Sequence, residues 1–169
     1  MKNLLVAVDF SDVTDRVVAA AEQMARAFGA KIWLLHVVPE VSPVTTLGEV
    51  PFQWPTVDAE LPERFPEERH QMQVLLFSLK DKGLNAESLL IRGSAIVEIL
   101  AMAEQYQIDM ILMGSHGHGA WYELVVGTVS EGVLHRATCP TLIVPSEKLQ
   151  KQKQQKSVRH WEEPVATPY

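Results

Sequence analysis

The sequence has very little cysteine and no long hydrophobic run. Its single cysteine, Cys139, excludes an internal disulfide and stands beside Pro140 in an apolar context. We therefore interpret it as a buried core residue rather than a reactive thiol. The longest apolar runs, such as residues 3–8 and 110–114, are far shorter than the roughly 20 residues that span a bilayer, and no signal-peptide pattern opens the chain. We expect an intracellular, cytoplasmic protein without a membrane span.

Basic residues are scarce in the body of the chain. Residues 1–145 contain 10 Lys and Arg against 18 Asp and Glu, a net charge of −8, whereas residues 146–169 contain 5 against 3, a net charge of +2. Because nucleic-acid binding needs clustered Lys and Arg to neutralise phosphates, we expect no nucleic-acid partner. The Lys/Gln-rich residues 148–160 favour a solvated tail, while Trp161 and Tyr169 leave a docking helix as the alternative.

What the chain does have is a regular alternation of short apolar runs and helical patterns. Buried strands are predicted at residues 3–9 and 31–38, and further strands at residues 86–93, 109–114 and 141–145. Helices are predicted between them, from a cap at Ser11 or Asp12 to Gly29, from about Glu67 to Gly83, from a cap at Ser94, and from a Thr128–Glu131 capping box to about Ala137. This order predicts an α/β fold with a parallel sheet and helices on both faces.

A proline-rich segment interrupts the alternation. Six of the ten prolines fall within residues 39–66, a density that excludes regular helix or sheet. We therefore predict one domain over residues 1–146 that contains this insert at 39–66, followed by a basic, Gln-rich tail at 147–169. The insert and the tail are the two candidate sites for a protein partner.

The segment "GSHGHGAWYELVVGTVSE", residues 114–131, joins the fourth predicted strand to the last predicted helix and contains four glycines. Glycines allow close approach of the backbone to a ligand, and the N–H groups at the start of a helix favour phosphate. The hydroxyls of Thr128 and Ser130 add possible donors. Neither the P-loop nor the G-x-G-x-x-G pattern is present, since no lysine precedes Thr128 and Tyr122 replaces the third glycine. A plain connection, in which Thr128 only caps the helix, is the alternative.

The histidines suggest no metal site that the protein forms by itself. His116 and His118 stand two residues apart in the loop, but no third ligand follows at a recognisable spacing, so exposed loop histidines are expected. Mg²⁺ held by nucleotide phosphates is favoured over protein-ligated zinc. His36, within an apolar strand, is predicted to be a hydrogen-bonded core residue rather than a catalyst.

The glycine spacing Gly114-x2-Gly117-x9-Gly127-Thr128 resembles the signature of the ATP-binding branch of the universal stress protein family. The segments "VAVDFS", "LLHVV", "DMILMGSHG", "GTVSE" and "CPTLIVP" also resemble that family's segments, in the same order. The resemblance covers residues 2–145. It implies a five-stranded parallel sheet in the order 3-2-1-4-5, similar to the adenine nucleotide alpha hydrolases, a homodimer, and bound ATP or AMP.

The resemblance also implies a set of nucleotide-binding residues. Asp9 resembles the carboxylate that binds the nucleoside, Val37 and Met113 resemble the residues beside the base, and Ala7 stands where the family often has proline. The ribose and phosphate cradle corresponds to Gly114, His116, Gly117, Gly127, Thr128, Val129 and Ser130.

The implied function is that of a nucleotide-dependent stress-response or regulatory protein rather than an enzyme. Residues 114–131 contain no Lys or Arg, and phosphoryl transfer relies on positioned cations, so at most weak ATP hydrolysis is expected. The alternatives are a slow ATP hydrolase, or an interaction module in which the nucleotide is structural. Strand 141–145 is expected at the sheet edge, where pairing with a second copy would form the homodimer.

Overall fold

The computed structural model describes residues 1–39, 65–115 and 127–146. These residues contain five strands, β1 (Asn3–Ala7), β2 (Lys31–Pro39), β3 (Ala86–Gly93), β4 (Met110–Gly114) and β5 (Thr141–Val144). They also contain four helices, α1 (Thr14–Phe28), α2 (Pro66–Asp81), α3 (Ala95–Gln105) and α4 (Thr128–Leu134). All strands are parallel and lie in the order β3-β2-β1-β4-β5, which confirms the predicted fold. Within these ranges, no helix has the length and apolar character needed to cross a membrane.

Two helical layers cover the sheet. Successive side chains of a strand point to opposite faces. On what we call the first face, strand residues such as Leu4, Val6 and Leu34 pack with buried residues of α1 and α2. On the second face, Leu5, Leu35, Ile111 and Met113 pack with buried residues of α3 and α4. Because both faces are covered, β1, β2 and β4 are nearly continuous apolar runs rather than alternating ones, whereas the edge strand β3 exposes Glu87 and Ser88.

The glycine signals at the helix ends are confirmed, whereas the predicted side-chain caps are wrong. Gly29 and Gly83 have φ of 63° and 75°, the left-handed conformation that glycine adopts without strain. The cap residue of α1 is Val13, not Ser11 or Asp12, and the cap residue of α4 is Gly127. Thr128 is therefore already inside α4 and cannot form the predicted capping box. Ser94 does stand at the cap of α3, but its side chain makes no capping hydrogen bond.

Prolines stand at the two structured borders of the predicted insert. Pro39 is the last residue of β2, and Pro66 is the first residue of α2, where the missing N–H would have had no helical partner. Residues 40–64 and the tail from residue 147 lie outside the described residues. The division of the chain into domain, insert and tail stays a prediction.

Candidate functional site

The candidate crevice lies where the order of strands reverses. β1 pairs with β2 on one side and with β4 on the other, although β4 is the fourth strand in the sequence. In open parallel sheets, ligands bind beyond the carboxyl ends of the strands at such a point. The segments that follow β1 and β4 contain most of the residues that the sequence assigned to nucleotide binding.

The first wall of the crevice begins where β1 ends. This strand stops at Ala7, not at Asp9 as predicted, and the N–H of the next residue, Val8, donates to Leu35 O of the neighbouring strand at 2.9 Å. The carbonyl of Val8 lies 2.8 Å from Nδ1 of His36. His36 is 9% exposed, which confirms its prediction as a hydrogen-bonded core residue. Asp9 therefore stands two residues beyond the strand, in the turn that leads to α1.

A tight turn orients Asp9. Its Oδ1 accepts hydrogen bonds from the N–H of Ser11 at 3.1 Å and from the hydroxyl of Ser11 at 2.6 Å. Between these residues, Phe10 has a φ of 59°, an uncommon conformation for a bulky side chain. The ring of Phe10 lies 4.4 Å from that of His36, centroid to centroid. The sequence suggested the Ser11 side chain as a helix cap, but in the structure its hydroxyl donates to the Asp9 carboxylate.

The predicted base-flanking residues, Val37 and Met113, belong to one apolar cluster, in which Met113 is 4% exposed. Met113 belongs to the buried cluster of the second face, and Ala7, Val37 and Val129 are partly buried side chains packed against that cluster. They come from β1, β2, β4 and α4, so residues far apart in the sequence converge. We call these four residues the apolar wall. A flat aromatic base is the type of group that such a surface accommodates.

The second side of the crevice is joined mainly by main-chain hydrogen bonds around Ser115. Its N–H donates to Val144 O at 2.9 Å, and its carbonyl accepts from the N–H of Gly127 at 2.6 Å. The Ser115 hydroxyl accepts from the N–H of Ser146 at 3.3 Å. The two described ends of the glycine loop are therefore held together beside β5. The loop residues between them, including His116 and Gly117, lie outside the described residues.

Two cradle residues differ from what their residue types suggested. Ser130 is 4% exposed and its hydroxyl donates to Gly114 O at 2.7 Å, so its proton is used within the protein rather than offered to a ligand. Gly127 has φ of −55° and ψ of 151°, values that any residue adopts. Its backbone conformation therefore does not require glycine.

One cation at this edge escaped the sequence analysis. Arg16, in the first turn of α1, donates from Nη1 to the carbonyl of Pro145, directly after β5. The loop itself has no Lys or Arg, so Arg16 adds positive charge from another element. The sequence contained a signal, since the helix that follows β1 starts at the same sheet edge. The contact itself joins residues 129 positions apart and has no local signature.

Metal and thiol chemistry find little support in the described residues. Within residues 1–39, 65–115 and 127–146, no cluster of three His, Cys, Asp or Glu side chains could hold a metal ion. Cys139 is half-buried rather than fully buried, and it packs on the cluster of the second face. Burial raises the pKa of its thiol, which disfavours the reactive thiolate.

Comparisons with known proteins agree with this fold. The sequence profile of the universal stress protein family matches residues 1–145. Universal stress protein YxiE of Bacillus subtilis is 32% identical, over 83% of this chain and 97% of its own. The structure of protein MJ0577, whose sequence is from Methanocaldococcus jannaschii, is 26% identical, covers 85% of this chain and 95% of its own, and has a TM-score of 0.68.

A further structure was solved with a nucleotide. The universal stress protein from Archaeoglobus fulgidus, in complex with dAMP, is 19% identical, covers 85% of this chain and 97% of its own, and has a TM-score of 0.61. At that identity the likeness shows the fold alone. The family match, in contrast, spans the whole described sheet, from before β1 to the residue after β5. The chain therefore belongs to the universal stress protein family.

Proposed function

We propose that this protein binds an adenine nucleotide, ATP or AMP, in the crevice between the ends of β1 and β4 and acts as a nucleotide-dependent regulatory protein. The observation that carries the proposal is the convergence of three features at one point of strand reversal. These features are the Asp9 carboxylate, the apolar wall, and the Ser115–Gly127 junction. A nucleotide combines hydroxyl donors, a flat base and phosphate, and each has a chemically suitable counterpart here.

The nucleoside half of the ligand fits the side formed by β1 and β2. A carboxylate accepts hydrogen bonds from ribose hydroxyls, and one Asp9 oxygen is already fixed by the two bonds from Ser11. The base would lie against the apolar wall. The Archaeoglobus fulgidus protein, which shares the fold, was solved in complex with dAMP, a ligand of the proposed class.

The phosphate half fits the side formed by β4, the loop and α4. Gly127 leaves room for close approach of a phosphate, and main-chain N–H groups beyond it are possible donors. We expect Mg²⁺, if it accompanies ATP, to be held by phosphate oxygens, where it neutralises their charge. His116 and Gly117 remain proposed contacts of the same phosphates.

The first experiment identifies the ligand. Protein purified without added nucleotide is denatured, and the released small molecules are analysed by mass spectrometry. Calorimetric titration of ligand-free protein with adenosine, AMP and ATP then gives the three affinities. We expect AMP or ATP to bind and GMP to bind much more weakly. A protein that binds none of the adenine compounds would overturn the proposal.

Regulation rather than catalysis is proposed because positioned cations are few. Arg16 is bonded to the Pro145 carbonyl, and the loop contributes no Lys or Arg. Rapid phosphoryl transfer needs several such charges. Release of phosphate from ATP is therefore expected to stay near the rate of a protein-free blank. A clearly faster rate that disappears in the Asp9→Ala variant would favour a slow ATP hydrolase instead.

We also propose that two copies of the chain pair through β5. This strand lies at the edge of the sheet, and Leu142 is 37% exposed there. An apolar edge strand is prone to uncontrolled association unless it is covered. Light scattering at micromolar concentration should give a dimer mass, and Leu142→Glu should give a monomer. Val74→Glu, at an exposed position of α2, is the matched control and should remain dimeric.

A further inference from the structure

His36 bonds the peptide group that leads directly into Asp9. The carbonyl of Val8 and the N–H of Asp9 belong to the same planar unit, so a bond that fixes the carbonyl also fixes the direction in which Asp9 starts. Nδ1 of His36 lies 2.8 Å from that carbonyl oxygen, across 28 positions of sequence. The ladder bond from Val8 N–H to Leu35 O, 2.9 Å, fixes the other side of Val8. Together these two hydrogen bonds fix both sides of Val8, the residue directly before Asp9.

Phe10 braces the same histidine from the other side of Asp9. Its φ of 59° is rare for an aromatic residue and strained, so surrounding contacts must maintain it. Its ring lies 4.4 Å from the imidazole and packs against the first-face core. Asp9 is thus held between two residues that both contact His36.

We propose that His36 is a positioning residue for the nucleoside site: its Nδ1–H bond to Val8, braced by Phe10, sets the orientation of the Asp9 carboxylate. This inference rests on the proposed function only in assuming that Asp9 contacts the nucleoside. His36 itself acts through Asp9 and does not need to touch the ligand.

The geometry fixes the tautomer of His36. A carbonyl oxygen can only accept a hydrogen bond, so Nδ1 must carry the proton. Free neutral histidine in water favours the opposite tautomer, with the proton on Nε2. Nitrogen-15 NMR of the wild-type protein distinguishes the two forms and needs neither a mutation nor a nucleotide. We expect the Nδ1–H form of the neutral imidazole. An Nε2–H form would overturn the inference.

Two substitutions separate the hydrogen bond from the ring. His36→Asn keeps a donor nitrogen at nearly the position of Nδ1, whereas His36→Leu fills the core without a donor. We expect His36→Leu to weaken adenosine and AMP alike, by about three- to tenfold, as for one lost hydrogen bond. His36→Asn should bind within about twofold of wild type. His70→Leu, at an exposed position of α2, is the matched control and should leave both affinities unchanged.

The outcomes separate this inference from the proposed function. If wild-type protein binds neither adenosine nor AMP, the proposed function fails, and the tautomer still decides whether His36 holds the Val8 carbonyl. If wild type binds but His36→Leu binds equally well, His36 does not position Asp9, while the proposed function stands. If His36→Asn and His36→Leu weaken binding equally although both variants are folded, the imidazole ring and not its hydrogen bond matters, and the inference is overturned.

Discussion

Side chains orient the residue that follows β1, whereas main-chain bonds join the two described ends of the loop that follows β4. On the first side, Asp9 is oriented by Ser11, His36 and Phe10. On the second side, Ser115 joins Val144 and Gly127 through its own N–H and carbonyl. Recognition of a nucleoside depends on a specific acceptor, which a side chain provides. Phosphate has oxygens in every direction and can be held by main-chain N–H groups. The two sides should therefore respond differently to mutation.

The largest effect is expected at Gly127. A valine there should abolish AMP binding, because its side chain would occupy the space next to the phosphate. Its φ of −55° suits any residue, so circular dichroism and the melting temperature should stay near wild type. Gly83→Ala is a control with the opposite expectation. An alanine held at a φ of 75° should lower the stability by about 1 kcal/mol and leave the AMP affinity unchanged. Calorimetry and thermal melts measure both. Unchanged AMP binding in Gly127→Val would reduce the loop to a plain connection.

At Asp9, a smaller effect is expected that does not depend on phosphate. Asp9→Ala should weaken adenosine and AMP equally, by about 1–3 kcal/mol, as for a lost hydrogen bond to a charged group. The exposed neighbour Asp12, replaced by Ala, provides the control for a general change of charge. Titrations with both ligands are compared. Loss of AMP binding while adenosine binds normally would move Asp9 to the phosphate side and remove the contrast between the two sides.

Ser130 tests whether its hydroxyl serves the fold or the ligand. Ser130→Ala deletes the bond to Gly114 O and should lower stability by about 1 kcal/mol, measured by urea unfolding. The ratio of AMP to adenosine affinity should change little, because the Ser130 proton is already donated within the protein. Ser78→Ala, exposed on α2, should change neither quantity. A fall in AMP affinity alone would mean that the hydroxyl turns toward phosphate when ligand binds.

The smallest effect on binding is expected at Asp109, a carboxylate at the amino ends of β1 and β4, opposite the ends that form the crevice. Asp109 accepts hydrogen bonds from the main-chain N–H groups of Lys2 and Asn3, which lower its pKa below the ordinary value of 3.8. The charged form is therefore favoured in the folded protein. Its contribution to stability is present above the ordinary pKa and is lost as pH falls through the lowered value.

Asp109→Asn should thus flatten the acid side of the stability profile, at pH values around and below 4, where wild type loses this contribution. Adenosine and AMP affinities should be unchanged at neutral pH, in contrast to the Asp9 variant. Urea unfolding between pH 3 and 7 measures the profile. An equally steep acid loss in Asp109→Asn would assign the pH dependence to other carboxylates. Glu22 is one candidate, because hydrogen bonds from Lys82 and then Arg26 lower its pKa.

The features that local chemistry determines were predictable from the sequence. Sequence patterns located the five strands to within about two residues, most directly for β1, β2 and β4, which are largely apolar because they are covered on both faces. Gly29 and Gly83 were predicted as helix-terminating residues, since only glycine adopts the left-handed conformation without strain. The loop spacing and the order of segments indicated the family, which its sequence profile confirmed.

The predictions that failed concern choices between equivalent partners. Ser11 and Thr128 both have the chemistry of a helix cap. In the structure, however, the Ser11 hydroxyl bonds Asp9, and α4 begins at Thr128 itself, one residue earlier than the predicted capping box requires. A helix cap uses the hydroxyl oxygen as an acceptor at the residue just before the helix, and local sequence does not say at which residue the helix begins. Ser130 differs for another reason, because its single hydroxyl proton is donated to Gly114 O.

The sequence by itself determined the strands, the helix ends at glycine, and the residue types available for a nucleotide. Only the tertiary structure decided that His36 bonds Val8 and that Arg16 bonds Pro145, contacts that span 28 and 129 positions of the chain. Strand and glycine signals depend on covalent geometry and on burial, which act residue by residue. Contacts between distant residues depend on how the sheet is assembled, because parallel strands bring their carboxyl ends together irrespective of separation along the chain.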